Sequence, residues 1–92
     1  MITFKPYQHY PTRVTAICYS GTMNDAEELE GIYKGKVHLE FSGIFTGCLL
    51  VENLGGQRHR ANPGDYLVDS PDFGLFVLEP ALFLKYYEAL KI

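Results

Sequence analysis

The chain contains no tryptophan and only two cysteines in 92 residues. A secreted domain of this size that depends on disulfide bonds usually carries more cysteines, at regular spacing. No apolar run approaches the ~20 residues that a transmembrane helix needs, and the N-terminal residues lack the basic and then apolar order of a signal peptide. These absences predict a protein of the cytoplasm with no membrane segment.

The chain also lacks the sequence signatures of catalysis and of metal binding. Its three histidines lie far apart, and none stands at a zinc-ligand spacing from a cysteine. There is no glycine-rich phosphate loop followed by a helix and no nucleophile elbow. One cluster of acids exists, Asp65, Asp69 and Asp72, and turn, strand-end and loop positions account for it. We therefore expect a binding protein without a cofactor, a metal or a catalytic residue.

What the chain does contain is apolar material for one packed core. Hydrophobic residues make up 47% of it, including seven tyrosines and six phenylalanines, which argues against intrinsic disorder. The length suits a single domain over residues 1–92 and is too short for two. The formal net charge of −3 is too small to predict bulk attraction to nucleic acid or wholesale DNA mimicry.

The N-terminal third predicts a strand and then an acidic helix. Residues 11–19 alternate on two faces and include β-branched side chains, which is typical of a strand beginning at Pro11. Asn24 is the predicted N-cap of the helix, and Glu27 returns the hydrogen bond as in a capping box. The predicted apolar stripe of this helix comprises Leu29, Ile32 and Tyr33.

From residue 36 onward the pattern predicts short strands joined by tight turns. Residues 44–51 form an apolar run that suits a central strand, with a bend or bulge at Gly47. The strongest turn signal is Asn62-Pro-Gly-Asp65, because Pro63 presets its φ and Gly64 supplies the positive φ of a type II turn. The hairpin turns predicted before it are at residues 42–43 and 53–56.

A closing helix is predicted from Pro80 through Leu90, since proline is well tolerated at the first helical position. The element order is therefore β–α–β–β–β–β–β–α. This order predicts an α+β fold: a curved antiparallel sheet of about five or six strands, with two short helices over one face or its ends.

The two cysteines, Cys18 and Cys48, both lie in apolar, strand-like runs. A free cysteine in such a place behaves as a small buried hydrophobe. We expect two buried thiols; a disulfide or a reactive thiol is the alternative that the sequence leaves open.

Two charged segments are candidate partner-binding surfaces. The first is the acidic helix face, which can meet a basic groove or can simply be surface charge matched to the helix dipole. Its residues are Asp25, Glu27, Glu28 and Glu30. The second is Arg58-His59-Arg60 on a predicted strand, whose two arginines share one side of the sheet. That pair suits phosphate or carboxylate; a solubilising edge strand is the other interpretation.

Two groups of short motifs, one near each end of the chain, carry a resemblance to a known family. The first is Pro-x-x-x-x-Ala-x-x-x-x-Gly before an acidic helix, at Pro11, Ala16 and Gly21. The second joins Gly-Asp-Tyr-Leu to Pro-x-x-Phe and Tyr-Glu, at Gly64, Asp65, Tyr66, Leu67, Pro80, Phe83, Tyr87 and Glu88. In these motifs the chain resembles a family of short phage and prophage proteins. Residues 34–48 match no motif, and Leu78 stands where many members have cysteine.

The resemblance implies a phage or prophage origin and supplies no catalytic residue. Small acidic phage proteins without enzyme motifs often inhibit host machinery, CRISPR effectors included. By this analogy we expect a non-enzymatic inhibitor, an anti-CRISPR protein of the host cytoplasm. Its partner would be a host protein or ribonucleoprotein, with possible contact to guide-RNA phosphates. The alternatives are a protein that sequesters a small nucleotide signal between tyrosines and arginines, and a small virion or assembly component.

Overall fold

A computed structural model describes residue 2, residues 4–9 and residues 12–89 of the chain. The strands within these residues are β1 (Lys5–His9), β2 (Thr12–Cys18), β3 (Val37–Ser42), β4 (Ile44–Glu52), β5 (Arg58–Ala61), β6 (Tyr66–Ser70), β7 (Gly74–Leu78) and β8 (Glu88–Ala89). The helices are α1 (Met23–Ile32) and α2 (Pro80–Tyr86). Neither has the length and apolar character needed to cross a bilayer. Pro11 and Leu90, which bound two predicted elements, lie outside the described residues.

The strands form two antiparallel sheets, so the predicted α+β class is confirmed and the predicted single curved sheet is wrong. One sheet has five strands in the order β7-β6-β2-β1-β8, and the other has three in the order β3-β4-β5. The division arises at the 62–65 turn, where the N–H of Gly64 donates to the carbonyl of Tyr19 over 2.7 Å. This turn returns the chain to β2, so β6 joins the first sheet and residues 37–61 pair only among themselves.

Both faces of the five-stranded sheet contribute buried side chains to the core. One face packs Val14, Ala16 and Val68 against Phe83 of α2. The opposite face presents Leu67 toward α1 and the inner side of the three-stranded sheet. The residues of this larger core are Tyr19, Ala26, Leu29, Val37, Leu49, Val51, Ala61, Leu67 and Leu75. The outer side of the three-stranded sheet is left at the molecular surface.

Helix α1 begins earlier than the sequence pattern predicts. Its N-cap is Thr22, whose hydroxyl accepts the N–H of Asp25 over 3.3 Å, so the prediction of Asn24 as the cap is wrong. Gly21, three residues after the end of β2, has a φ of +87° and turns the chain there. Thr22 therefore reaches the capping position first, and Asn24 falls inside the first helical turn.

The buried stripe of α1 also differs from the prediction at one residue. Ala26 and Leu29 are fully buried and Tyr33 is half-buried, whereas Ile32 is 53% exposed. At 100° per residue, Ile32 lies about 90° of rotation from the centre of the stripe that the other three define. The prediction of Ile32 as a core residue is therefore wrong.

The closing helix is shorter than predicted and is followed by a strand. Helix α2 ends at Tyr86, and Tyr87 adopts extended backbone angles. The chain then pairs as β8 with β1, at the edge of the five-stranded sheet. Neither strand was predicted, because β8 has only two residues and β1 is polar with Pro6 inside it.

The turn and bulge predictions are confirmed. Gly43 and Gly64 have φ values of +79° and +95°, and the N–H of Asp65 donates to the carbonyl of Asn62 over 3.0 Å. In β4, Gly47 has a φ of +88° and lies within a register shift against β3. The shift changes which side chains of these strands face each other, and this matters for the charged residues described below.

Both cysteines are free thiols, but only one is buried. Cys48 is buried as predicted, and its sulfur lies 3.4 Å from the side-chain oxygen of Asn62. Cys18 is exposed, so the prediction of two buried thiols is wrong for it. It continues the face of Ala16 and lies beside the 62–65 turn, where its sulfur is 3.4 Å from the carbonyl oxygen of Gly64.

Tyr19 links β2 to the bulge of β4. Its side chain is almost wholly buried, and its hydroxyl donates to the carbonyl of Gly47 over 2.9 Å. Burial raises the pKa of the Tyr19 phenol to about 12. The neutral form is therefore favoured in the folded protein.

We predict that the free energy of unfolding falls as the pH rises from about 10 to about 12. The contribution of Tyr19 is fully present below the unfolded-state pKa of about 10 and is lost as the pH rises through its folded-state pKa. Burial and the bond to Asp69 also raise the pKa of Tyr33, which adds a loss of the same sign. Urea denaturation at several pH values across this range measures the free energy of unfolding. For Tyr19→Phe, this free energy should fall less steeply with pH than it does for the parent. An unchanged slope would contradict the prediction, and the exposed Tyr86→Phe is the control.

Candidate interaction surfaces

The predicted arginine pair lies on β5, an edge strand of the three-stranded sheet. Arg58 and Arg60 alternate with His59, so the two arginines share the outer face of the sheet. Both side chains are more than half exposed. His59 is on the other side, where its Nε2 lies 3.4 Å from the side-chain nitrogen of Asn53. The structure therefore brings the two arginines together and separates His59 from them.

Each arginine already faces a carboxylate of the same sheet: Glu52 is on the neighbouring strand β4, and Glu40 is on β3, on the far side of β4. A nitrogen of the Arg60 guanidinium lies 2.8 Å from Oε2 of Glu40, and Nε of Arg58 lies 3.7 Å from Oε1 of Glu52. Lys36 lies 3.5 Å from the other oxygen of Glu52. The outer face of the three-stranded sheet thus carries a cluster of three cations and two carboxylates. A phosphate that binds here has to compete with these carboxylates.

The four acids of the helix divide into two pairs. Asp25 accepts the hydroxyl of Ser20 over 2.6 Å, and the Glu28 carboxylate accepts the N–H of Ile2 over 3.2 and 3.4 Å. Asp25 and Glu28 are therefore used within the fold. Glu27 and Glu30 are exposed, and their carboxylates have no hydrogen bond or ion pair within the described part of the chain.

Glu27 and Glu30 border a cleft of about 390 Å³ between α1 and the start of β3. Gly31 and Gly35 also border it, and a Cβ on either would meet no atom within 4 Å. The remaining lining residues are Lys34, Val37 and His38. Nε2 of His38 is buried and has no hydrogen-bond partner among the described residues. Two carboxylates beside an open cleft can receive a basic side chain through charge-assisted hydrogen bonds.

Two apolar features at the surface were not predicted from the sequence. The hairpin tip comprises Phe41 and Phe45, whose rings lie 5.8 Å apart, and Ile44 beside the turn between β3 and β4. Phe41 is 59% exposed and Ile44 is 77% exposed. An apolar residue directly after the Ser42-Gly43 turn was the available signal, since a turn tip is normally polar.

The second feature is the apolar cleft, a concavity of about 420 Å³. It lies between the β4–β5 turn and the β6–β7 loop. Leu54 and Phe73 border it and are each 68% exposed, and Phe76 forms part of its wall. The other lining residues are Asn53, Gly55 and Asp72.

The three acids noted in the sequence, Asp65, Asp69 and Asp72, do not form one site in the structure. The Asp65 carboxylate accepts the N–H of Asn62 over 3.0 Å, and Asp69 accepts the hydroxyl of Tyr33 over 2.9 Å. Asp72 lies in the loop before β7. Across the described ranges, no three His, Cys, Asp or Glu side chains are placed to hold a metal ion.

The described tyrosines do not lie beside the arginines. Tyr66, Phe83 and Tyr87 form a continuous stack, with ring centroids 3.9 and 5.0 Å apart, on the α2 side of the five-stranded sheet. Tyr19 and Tyr33 pack in the core between the sheets. The arginines face outward from the opposite layer, so this arrangement does not favour a nucleotide site built from both residue types.

No family model, curated protein or solved structure matches the chain.

Proposed function

We propose that this protein acts by binding a basic surface of a partner protein, and that it is a phage-encoded, non-enzymatic inhibitor of a host defence complex. The observation that carries the proposal is the pair of exposed carboxylates, Glu27 and Glu30, beside an open cleft. The fold uses the other two acids of α1 and leaves this pair to solvent. Complementary charge across an interface favours association and selects the partner.

The acidic helix is a better candidate for the main contact than the arginine strand. Glu40 and Glu52 already neutralise part of the charge of Arg60 and Arg58. A phosphate group gains less from a guanidinium that must first leave a carboxylate. We therefore assign guide-RNA phosphates, if they are contacted, to a secondary role at the edge of the interface.

The choice of target rests on the resemblance to short phage proteins. A CRISPR effector presents basic grooves that hold nucleic acid, and an acidic helix face has the charge to occupy such a groove. Such a target lies in the host cytoplasm. An affinity pull-down from the lysate of a CRISPR-bearing host tests this choice directly, and recovery of one effector complex is the expected result.

We predict that Glu27→Lys with Glu30→Lys weakens binding to the recovered complex about 100-fold, since each reversal replaces an attraction by a repulsion of about 1–2 kcal/mol. Because both residues are exposed, the melting temperature should change little. Titration of the purified complex by calorimetry measures the dissociation constant. Glu79→Lys is the control for charge reversal at the surface, because Glu79 is an exposed acid outside α1, and it should bind like the parent.

Equal affinity of the double variant and the parent would remove the acidic helix from the mechanism. Replacing Arg58 and Arg60 by Glu tests the secondary contact in the same assay. A smaller loss than that of the helix variant is expected, with a nearly unchanged melting temperature, because exposed ion pairs contribute only about 0–1 kcal/mol. Unaltered affinity would remove the arginines from the interface.

An empty pull-down would shift the assignment to the nucleotide-sequestering alternative. A thermal-shift screen against cyclic and linear nucleotides then decides, since a ligand that binds only the folded state must raise the melting temperature.

A further inference from the structure

Two exposed apolar features lie at opposite ends of one strand. The hairpin tip precedes and begins β4, and the apolar cleft starts at Asn53, directly after its last residue. The strand is nine residues long, so the two features are separated by about 27 Å at the usual rise per residue. One feature is a projecting hairpin and the other is a concavity.

We propose that the protein associates with itself head to tail, with the hairpin tip of one copy inserted in the apolar cleft of the next. This inference is independent of the proposed inhibitor function. It concerns surfaces that lie away from Glu27 and Glu30, and it gives the assembly-component alternative a structural basis.

The chemistry of the two features is matched. The tip presents Phe41 beside half-buried Phe45 on one side of the hairpin and Ile44 on the other side. The cleft is bordered by Leu54, Phe73 and Phe76. Insertion would remove all four exposed side chains from water, which is the main driving force of association. A cleft of about 420 Å³ falls within the ~300–1,000 Å³ range of clefts that enclose a ligand.

The area available sets the expected strength. An aromatic side chain carries roughly 150–250 Å² of surface, of which Phe41 and Phe73 expose more than half. With Ile44 and Leu54 added, the contact buries several hundred Å², below the ~1,200 Å² at which specific, stable interfaces begin. The contact therefore holds no permanent dimer and forms reversibly at high protein concentration.

The placement of the two features determines the symmetry. A tip in a cleft is a heterologous contact, and each added copy leaves one tip and one cleft free. Such contacts produce rings when the rotation between copies closes and open filaments when it does not. The assembly is therefore expected to grow past the dimer as the concentration rises.

Sedimentation equilibrium of Ile44→Asp, of Phe73→Asp and of their equimolar mixture tests the proposal. The parent is expected to exceed twice the chain mass of 10.4 kDa at the highest concentrations, and each variant should stay at the chain mass. In the mixture, the intact cleft of the first variant receives the intact tip of the second. The remaining ends are both blocked, so the mixture should stop at twice the chain mass.

Ile32→Asp is the matched control, because it places the same charge at an exposed apolar residue outside both features; it should associate like the parent. A parent that stays monomeric throughout would overturn the proposal. So would self-association of the Ile44→Asp or Phe73→Asp variant, which indicates a symmetric contact of the intact feature, or a mixture that remains monomeric. Circular dichroism checks that both aspartate variants fold. If either does not, the variants Ile44→Ser and Phe73→Ser are used in the same mixing test.

Discussion

The Phe83→Ala variant is expected to lose about 3–5 kcal/mol of its free energy of unfolding, as large buried aromatics do on truncation. Phe83 is fully buried and lies in a stack between the rings of Tyr66 and Tyr87. The cluster beneath α2 otherwise contains only small residues and valines as fully buried members. The larger side chains that pack against this cluster are only partly buried: Tyr66, Phe76, Leu78 and Tyr87.

A loss of this size is most of the stability of many small domains, which is about 5–15 kcal/mol. Urea denaturation followed by circular dichroism measures it. Leu84→Ala is the control on the same helix, since Leu84 is 67% exposed and its truncation should change stability by no more than about 0.5 kcal/mol. Equal effects of the two substitutions would show that α2 does not dock on the sheet through Phe83.

The Gly21→Ala variant is expected to lose about 2–5 kcal/mol, from two causes that add. The residue has a φ of +87°, which costs an L-amino acid about 1–2 kcal/mol. The new Cβ would also stand 2.5 Å from Cγ and 2.7 Å from Cβ of Pro63. Relief of such overpacking costs about 1–3 kcal/mol, and the rigid proline ring cannot rotate away.

Gly35→Ala separates these two causes. Gly35 also has a positive φ, of +80°, but an added Cβ there meets no atom within 4 Å. It should lose only the backbone part, about 1–2 kcal/mol. Chemical denaturation of both variants gives the difference, which reports the contact with Pro63. If Gly21→Ala is no less stable than Gly35→Ala, the 62–65 turn does not pack on Gly21 as described.

The 62–65 turn connects this packing to the division of the fold. Pro63 presses on Gly21, and the backbone of the turn exchanges hydrogen bonds with Tyr19 and sends the chain into β6. The same turn therefore closes the three-stranded sheet and completes the five-stranded one. Its disruption by Gly21→Ala is expected to affect both sheets together, so that a single unfolding transition is retained.

Features that depend on a few neighbouring residues could be predicted from the sequence. Gly43 and Gly64 adopt the positive φ that their turns need, because a turn is decided by the residues within it. Arg58 and Arg60 share a side because side chains alternate along any strand. The acidic helix after β2 was recognisable for the same reason, and its N-cap and the burial of Ile32 were predicted wrongly.

Features that depend on distant residues were decided by the tertiary structure alone. Pairing of β8 with β1 follows the end of the last helix at Tyr86, and the registers of β3, β4 and β5 determine which carboxylates face the arginines of β5. The exposure of Ile44 likewise depends on the tertiary structure. So does the difference between Asp25, which accepts a hydrogen bond from Ser20, and Glu27, which is exposed. Local chemistry determined the elements, the turns and the acidic character of α1. The partition into two sheets, the neutralised arginines and the free carboxylates required contacts between residues far apart in the chain, because such contacts leave no periodic trace in the sequence.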